Sequence, residues 1–290
     1  MTENQNNKNI RIAFFGTPEI TISILNGLKD ANMLPVIIVT GEDKPIGRKQ
    51  IITPTPTKIW AIKNNIPILQ PKKLDADFLM EFKSLNIDIS VVVAYGKIMP
   101  EELINSPVFG TINLHYSLLP KYRGASPVET AILLGKKETG ITIQKMQFKL
   151  DSGPIMASLN VPIGQNETTP DLRDRLNKLA VPIVIDMITK LANNSAVFRE
   201  QDETKATFSK KIKKEDGLIN LLDDPQMNYD KYRAYFGWPG TYFFVEKNNK
   251  KMRILIKNAK LINNNFIITR VLPEGKKEMN YSDFTSQLLK

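Results

Sequence analysis

The chain has 290 residues, 42% of them hydrophobic, enough for a sizeable buried core and for two domains rather than one. It has no cysteine, which excludes disulfides, thiolate metal sites and a cysteine nucleophile, and no run of about 18 apolar residues to span a membrane. The net charge is +10, and residues 199–290 carry 18 basic and 12 acidic side chains, so they hold +6 of it; this bias suits a polyanionic partner or a solvated basic surface equally well. The polar N-terminus, MTENQNNKNI, lacks the apolar segment of a secretion signal, and a cytoplasmic protein is expected.

Residues 11–15 (RIAFF) predict a strand that meets Gly16, after which Thr17 as N-cap and Pro18 at the first helical position predict a helix to about Lys29. Residues 35–40 (PVIIVT) form the next strand, completing a βαβ unit whose apolar continuity implies a parallel sheet covered on both faces. Neither a GxxxxGK[ST] phosphate loop nor a GxGxxG fingerprint is present. Residues 41–57 read as a long loop with three prolines, two glycines and the basic cluster Lys44, Arg48 and Lys49. It follows the C-terminal end of a strand, where open α/β sheets bind ligands, so it either clamps a phosphate backbone or is a solvated excursion.

Helices are predicted over 58–64 and 75–85, with a small strand at 66–69 between them. The apolar strand 87–94 (IDISVVVA) runs into Tyr95, Gly96, Lys97 and Ile98, a glycine turn that either delivers backbone groups to the crevice or opens the next helix. A strand at 111–114 (TINL), a helix at 125–134, an alternating strand at 140–146 (GITIQKM), an edge strand at 155–161 and a long helix at 171–191 follow. Residues 192–208 are polar and without period, the mark of a linker. Short strands at 242–245, 252–256 and 266–271, separated by Asn/Lys turns, predict a small antiparallel barrel or sheet.

The only histidine is His115, with Asn113 two positions before it and Asp151 36 positions after it. Histidine is the one side chain whose ordinary pKa lies near neutrality. Asn113 and His115, two apart on a strand, face the same side, and an aspartate arriving from another element can orient a water or hold the imidazole protonated. Such a trio suits attack by an external amine on an activated carbonyl, with the amide and the imidazolium stabilising the oxyanion. On local pattern alone, a lone histidine is more often structural than catalytic.

The run His115-Tyr116-Ser117-Leu118-Leu119-Pro120, with Asn113 before it, Arg123-Gly124 after it and Leu150-Asp151-Ser152-Gly153 downstream, resembles the signature of the formyltransferase family that uses 10-formyltetrahydrofolate. FGTPE at 15–19, GEDKPIGR at 41–48, VAYG at 93–96 and PEGKKEM at 273–279 are similar to the branch whose acceptor is initiator methionyl-tRNA, and the likeness covers nearly the whole chain.

The resemblance implies an α/β fold: a Rossmann-like, mostly parallel sheet in a catalytic domain (1–191), a linker (192–208) and a small, shortened OB-like β-barrel (209–290) that contacts tRNA. It implies Asn113, His115 and Asp151 as the catalytic residues. Ser117, Leu118, Leu119 and Pro120 would hold the folate, with Tyr95, Gly96 and Ile98 in the turn that cradles the pterin. Arg48, with Lys44 and Lys49 beside it, would grip the acceptor stem. The co-substrate would be 10-formyltetrahydrofolate, with no metal, and the enzyme a monomer. Tyr116, Gln147 and Lys149 depart from the family pattern and are expected to reshape the pocket edge. Two other readings stay open: formylation of a nucleotide-linked amino sugar or a purine precursor, and a tRNA-binding protein that has lost catalysis.

Overall fold

The computed structural model describes residues 10–47, 49–247 and 250–288. The chain forms two compact units. The first comprises residues up to Arg123, Gly140–Leu159 and Asp174–Ala206; the second comprises Gly124–Thr139, Asn160–Arg173 and the chain from Thr207 onward.

Chain order begins with β1 (Ile12–Gly16), α1 (Thr21–Asp30), β2 (Ile37–Val39), β3 (Lys44–Ile46), β4 (Ile51–Thr53), α2 (Pro56–Lys63), β5 (Ile68–Leu69), α3 (Ala76–Ser84) and β6 (Ile89–Val93). It continues with α4 (Glu101–Ile104), β7 (Thr111–His115), β8 (Arg123–Gly124), α5 (Pro127–Leu133), β9 (Glu138–Lys145), β10 (Ile155–Pro162) and α6 (Thr169–Ala192). Seven of these strands make one sheet in the order β10-β9-β7-β6-β1-β2-β5. β5, β2, β1, β6 and β7 are parallel, and β9 runs antiparallel to β7. Every residue of β1, β2 and β6 is buried, which is why these strands read as unbroken apolar runs. Phe15 packs against Phe82 and, edge to face, against Tyr95, fixing α3 and the crest of β6 on the sheet. Each such side chain contributes roughly 1.5–3 kcal/mol on burial.

From β1 the chain winds one way to β2 and β5, then returns to β6 and β7 on the other side of β1. The reversal opens a crevice beyond the C-terminal ends of β1 and β6, where such sheets hold ligands. Here the expected start of α1 is corrected. The helix begins at Thr21, with Ile20 in the cap position and no side-chain cap. The Thr17 hydroxyl instead accepts from the Gly41 amide (3.1 Å) and donates to the Tyr95 carbonyl (3.3 Å). From the end of β1 it satisfies backbone groups at the ends of β2 and β6, while Pro18 O receives the first helical amide and the Thr21 hydroxyl.

The basic loop after β2 is also more ordered than its composition suggests. β3 and β4 pair antiparallel as a hairpin, with Ile46, Ile51 and Ile52 exposed beside Lys44. Lys49 lies exposed in the turn, and Arg48 lies outside the described residues.

The second unit adds β11 (Phe208–Ser209), α7 (Pro225–Ala234), β12 (Tyr242–Lys247), β13 (Lys250–Ile262), β14 (Asn265–Pro273), β15 (Met279–Asn280) and α8 (Tyr281–Leu288). The last four strands form an antiparallel sheet in sequence order, so the shortened β portion takes this form among the described residues. β13 is far longer than predicted, because its register slips at Ile256–Ala259 and lets it continue past the break in apolar pattern. Asn263 and Asn264, both at positive φ, make the hairpin turn to β14. Tyr229, Tyr232, Phe243, Ile254, Val271 and Phe284 fill the core under this sheet.

Candidate active site

β7 carries the two central residues. Asn113 and His115 lie on one face of the strand, and the antiparallel register with β9 sets Gln144 directly opposite Asn113 and Thr142 directly opposite His115. Four polar side chains thus share one face, while Ile112, Leu114, Ile141 and Ile143 go to the core. His115 is buried. Its Nε2 lies 3.0 Å from the Tyr122 carbonyl. A carbonyl oxygen can only accept, so Nε2 carries a hydrogen and donates it, and Nδ1 is the nitrogen left to exchange a proton.

Nδ1 faces Oδ1 of Asp151 at 3.7 Å, too long for a hydrogen bond yet close enough for a strong charge interaction once Nδ1 is protonated. Asp151 is brought there by the loop between β9 and β10 and is itself restrained. Its φ of +48° is a left-handed conformation that aspartate tolerates better than most residues. Its Oδ1 accepts from Gln144 Nε2 (3.0 Å). Two residues on, a Cβ on Gly153 would lie 1.7 Å from the Lys145 carbonyl oxygen, so only glycine permits the loop to close against β9. The Asn113 amide has no hydrogen-bond partner among the described residues and remains available to a ligand. The structure therefore brings Asn113, His115 and Asp151 together.

The residues after the histidine are placed differently from one another. Ser117 is fully buried, and its hydroxyl donates to the Lys121 carbonyl (2.5 Å). The Ser117 carbonyl accepts from the Thr142 hydroxyl (2.7 Å), which in turn accepts from the Leu119 amide (3.2 Å), and a cis peptide joins Leu119 to Pro120. Leu118 lies over Gly140, where any added Cβ would strike it. Tyr116 points away from this face, its hydroxyl donating to Asn177 Oδ1 (2.5 Å) in α6. Lys149, another of the departures, pairs with Glu203 (2.7 Å).

At the crest of β6, the Tyr95 ring goes into the core and burial pushes its phenol up to about 12, so the hydroxyl stays neutral. What this turn presents is backbone: Gly96 has φ +79° with open space around it, and Ile98 is exposed beyond it. No group of three or more metal-ligating side chains occurs among the described residues. Sequence reasoning missed Gln144 and Thr142. The available signal was the alternation in GITIQKM, which leaves its polar positions on one face, although only the β7–β9 register shows what they face.

Residues 10–188 match the family described as formyl transferase, and residues 211–267 match the formyl transferase C-terminal domain. A methionyl-tRNA formyltransferase from Sulfurihydrogenibium sp. is 38% identical over 93% of this chain and 86% of its own. Among solved structures, methionyl-tRNA formyltransferase from Clostridium thermocellum superposes with a TM-score of 0.63 at 20% identity, covering 91% of this chain and 98% of that one. An N-formyltransferase from Helicobacter canadensis, in complex with folinic acid and dTDP-3-aminofucose, gives 0.62 at 18% identity, covering 89% and 95%. These two likenesses speak to the fold.

Proposed function

This chain belongs to the formyl transferase family, and from that premise we propose that it transfers the formyl group of 10-formyltetrahydrofolate to the α-amine of methionine on initiator tRNA. The observation that carries the chemistry is the pairing of an unengaged Asn113 amide with the proton-exchanging Nδ1 of His115, backed by Asp151 at 3.7 Å. The acceptor rests on the relative of matching length and 38% identity.

When bound, the folate supplies a formyl carbon attached to a nitrogen that can leave. The amine nitrogen bonds to that carbon, the old carbon–nitrogen bond breaks, and one proton passes from the amine to the departing nitrogen. Asn113 donates to the formyl oxygen as negative charge develops there. His115 holds and moves the proton at Nδ1, its orientation fixed by the Nε2 bond to the Tyr122 carbonyl. Asp151 stabilises the imidazolium that results. The open backbone at Gly96 and the exposed, apolar Ile98 suit a flat heterocycle, and Ser117, Leu118, Leu119 and Pro120 make up the rest of the folate site in this reading.

In this reading residues 1–191 are the catalytic domain, 192–208 the linker and 209–290 the tRNA-contacting β domain. Lys44 and Lys49 of the hairpin, together with Arg48, grip the acceptor stem. The protein acts as a cytoplasmic monomer; no described helix is long and apolar enough to cross a membrane. The test is formylation of initiator methionyl-tRNA beside elongator methionyl-tRNA and a nucleotide-linked amino sugar, with the parent, His115→Ala and Asn113→Ala. The parent should formylate the initiator tRNA and both variants should lose most of the rate while folded; retained activity in both would sink the assignment.

A further inference from the structure

The polar segment after α6 makes contacts that its lack of period does not foretell. The Arg199 amide and carbonyl bridge to Ile155, which anchors the segment beside the base of the Asp151 loop. Two residues later, Gln201 Nε2 donates to the Asp151 carbonyl (2.9 Å) and to the Gly153 carbonyl (2.7 Å). Its Oε1 accepts from Nη2 (2.7 Å) and Nε (3.1 Å) of Arg123, a guanidinium that is fully buried. The same guanidinium donates to both carboxylate oxygens of Glu203, at 2.7 Å and 3.1 Å, and Glu203 also takes Lys149 from the far end of the Asp151 loop.

A buried cation thus holds two acceptors from residues 201–203, and one of those acceptors holds the backbone on either side of Ser152. The amide of Gln201 has its orientation fixed at both ends: oxygen toward Arg123, nitrogen toward two carbonyls. Gln144 completes the arrangement, since it donates to the Asp151 carboxylate from β9 while lying against the same Gln201 amide.

We propose that Arg123, Gln201 and Glu203 form a clasp that positions Asp151 against His115, making the segment after α6 part of the support of the reaction centre. None of the three touches the reacting atoms; they are positioning residues, and the proposal rests on the catalytic role of Asp151 given above. Because the His115–Asp151 separation is already at the edge of direct contact, freeing the loop weakens the charge interaction that the imidazolium needs, without touching either substrate site.

The test uses the full chain. Gln201→Glu is nearly isosteric and keeps an oxygen toward Arg123, but it turns oxygen instead of N–H toward the Asp151 and Gly153 carbonyls; Gln201→Ala removes both ends. Both should lower kcat by about 10- to 100-fold with the KM for each substrate within about threefold, assayed well below the thermal midpoint, which falls because buried groups lose partners. In an Asp151→Asn background, followed by single turnover at high enzyme concentration, the same changes should cost less than about threefold, because the group they position is already disabled. Equal losses in both backgrounds, a loss that tracks unfolding, or full activity of Gln201→Glu beside an impaired Asp151→Asn would overturn the clasp alone. Full activity of Asp151→Asn would overturn the catalytic reading and the clasp with it.

Discussion

Replacing Gly153 by alanine perturbs the site without altering any group proposed to do chemistry. The added Cβ would lie 1.7 Å from the Lys145 carbonyl oxygen, and real Cβ contacts essentially never fall below 3.0 Å, so the two strands of chain must part by at least 1.3 Å. The obstacle is backbone on a strand anchored in the sheet, so the loop moves. If Asp151 moves with it, the His115–Asp151 separation grows from 3.7 Å toward 5 Å. At an effective dielectric of about 20, that forfeits about 1.2 kcal/mol of attraction to an imidazolium, or about eightfold in rate. Misplacement of a positioned group by about 1 Å can cost up to about 100-fold. The expected result is therefore a kcat about 10- to 100-fold lower, an unchanged KM for the folate, and a loss of about 1–3 kcal/mol in stability from overpacking. Steady-state formylation of initiator methionyl-tRNA and thermal unfolding measure these quantities. A variant with kcat within about twofold of the parent would refute the reasoning, since it would mean that the loop can shift without carrying Asp151.

Four further outcomes are expected. Gln144→Leu removes the donor to Asp151 and should lower kcat about tenfold, checked by the same assay; parental kcat would show that the β9 side chain is not needed. Asp230→Ala strips the carboxylate from the buried Arg233 guanidinium and should cost about 3–5 kcal/mol, read by urea unfolding of the full chain. The Arg123 guanidinium, then Lys149, hold the Glu203 carboxyl down at about 2, so its folded value lies below its unfolded one. Its contribution is present above the unfolded range near 4.5 and is lost as pH falls through about 2; the stability advantage of the parent over Glu203→Gln, measured by urea midpoints, should shrink over that window. Reversing Lys44 and Lys49 to glutamate should raise the KM for tRNA several-fold and flatten its salt dependence, leaving the folate KM alone.

The sheet was legible because β1, β2 and β6 are buried on both faces and leave unbroken apolar runs. Asn113, His115 and Asp151 stood out through the resemblance of the motifs around them, since on local pattern alone a lone histidine reads more often as structural; the structure brings the three side chains together. Three things were hidden, each for a physical reason. Helix α7 buries Asn228, Asp230 and Arg233, the last two paired with each other and Asn228 and Arg233 bonded to backbone carbonyls, so no apolar stripe marks it. The β3–β4 hairpin has exposed isoleucines and prolines at both ends, a composition that reads as loop. The roles of Gln144, Thr142 and Gln201 depend on register and on pairings across 7 to 78 residues of chain, which local pattern does not carry.

The buried Arg123 guanidinium donates to acceptors 78 and 80 residues further along the chain, at Gln201 and Glu203. At about 5–20 residues per second, Asp151 leaves a ribosome roughly 3–10 seconds before Gln201 does. A nascent chain that ends with α6 has the Asp151 loop but not yet Gln201, which fastens it, nor the carboxylate of Glu203. On the proposed clasp, catalytic competence waits for residues 201–203 to emerge. The same timing sets a rule for cutting the chain: a fragment ending with α6 keeps every strand of the sheet yet lacks the residues that close Arg123, so the smallest working catalytic piece must extend at least through Glu203.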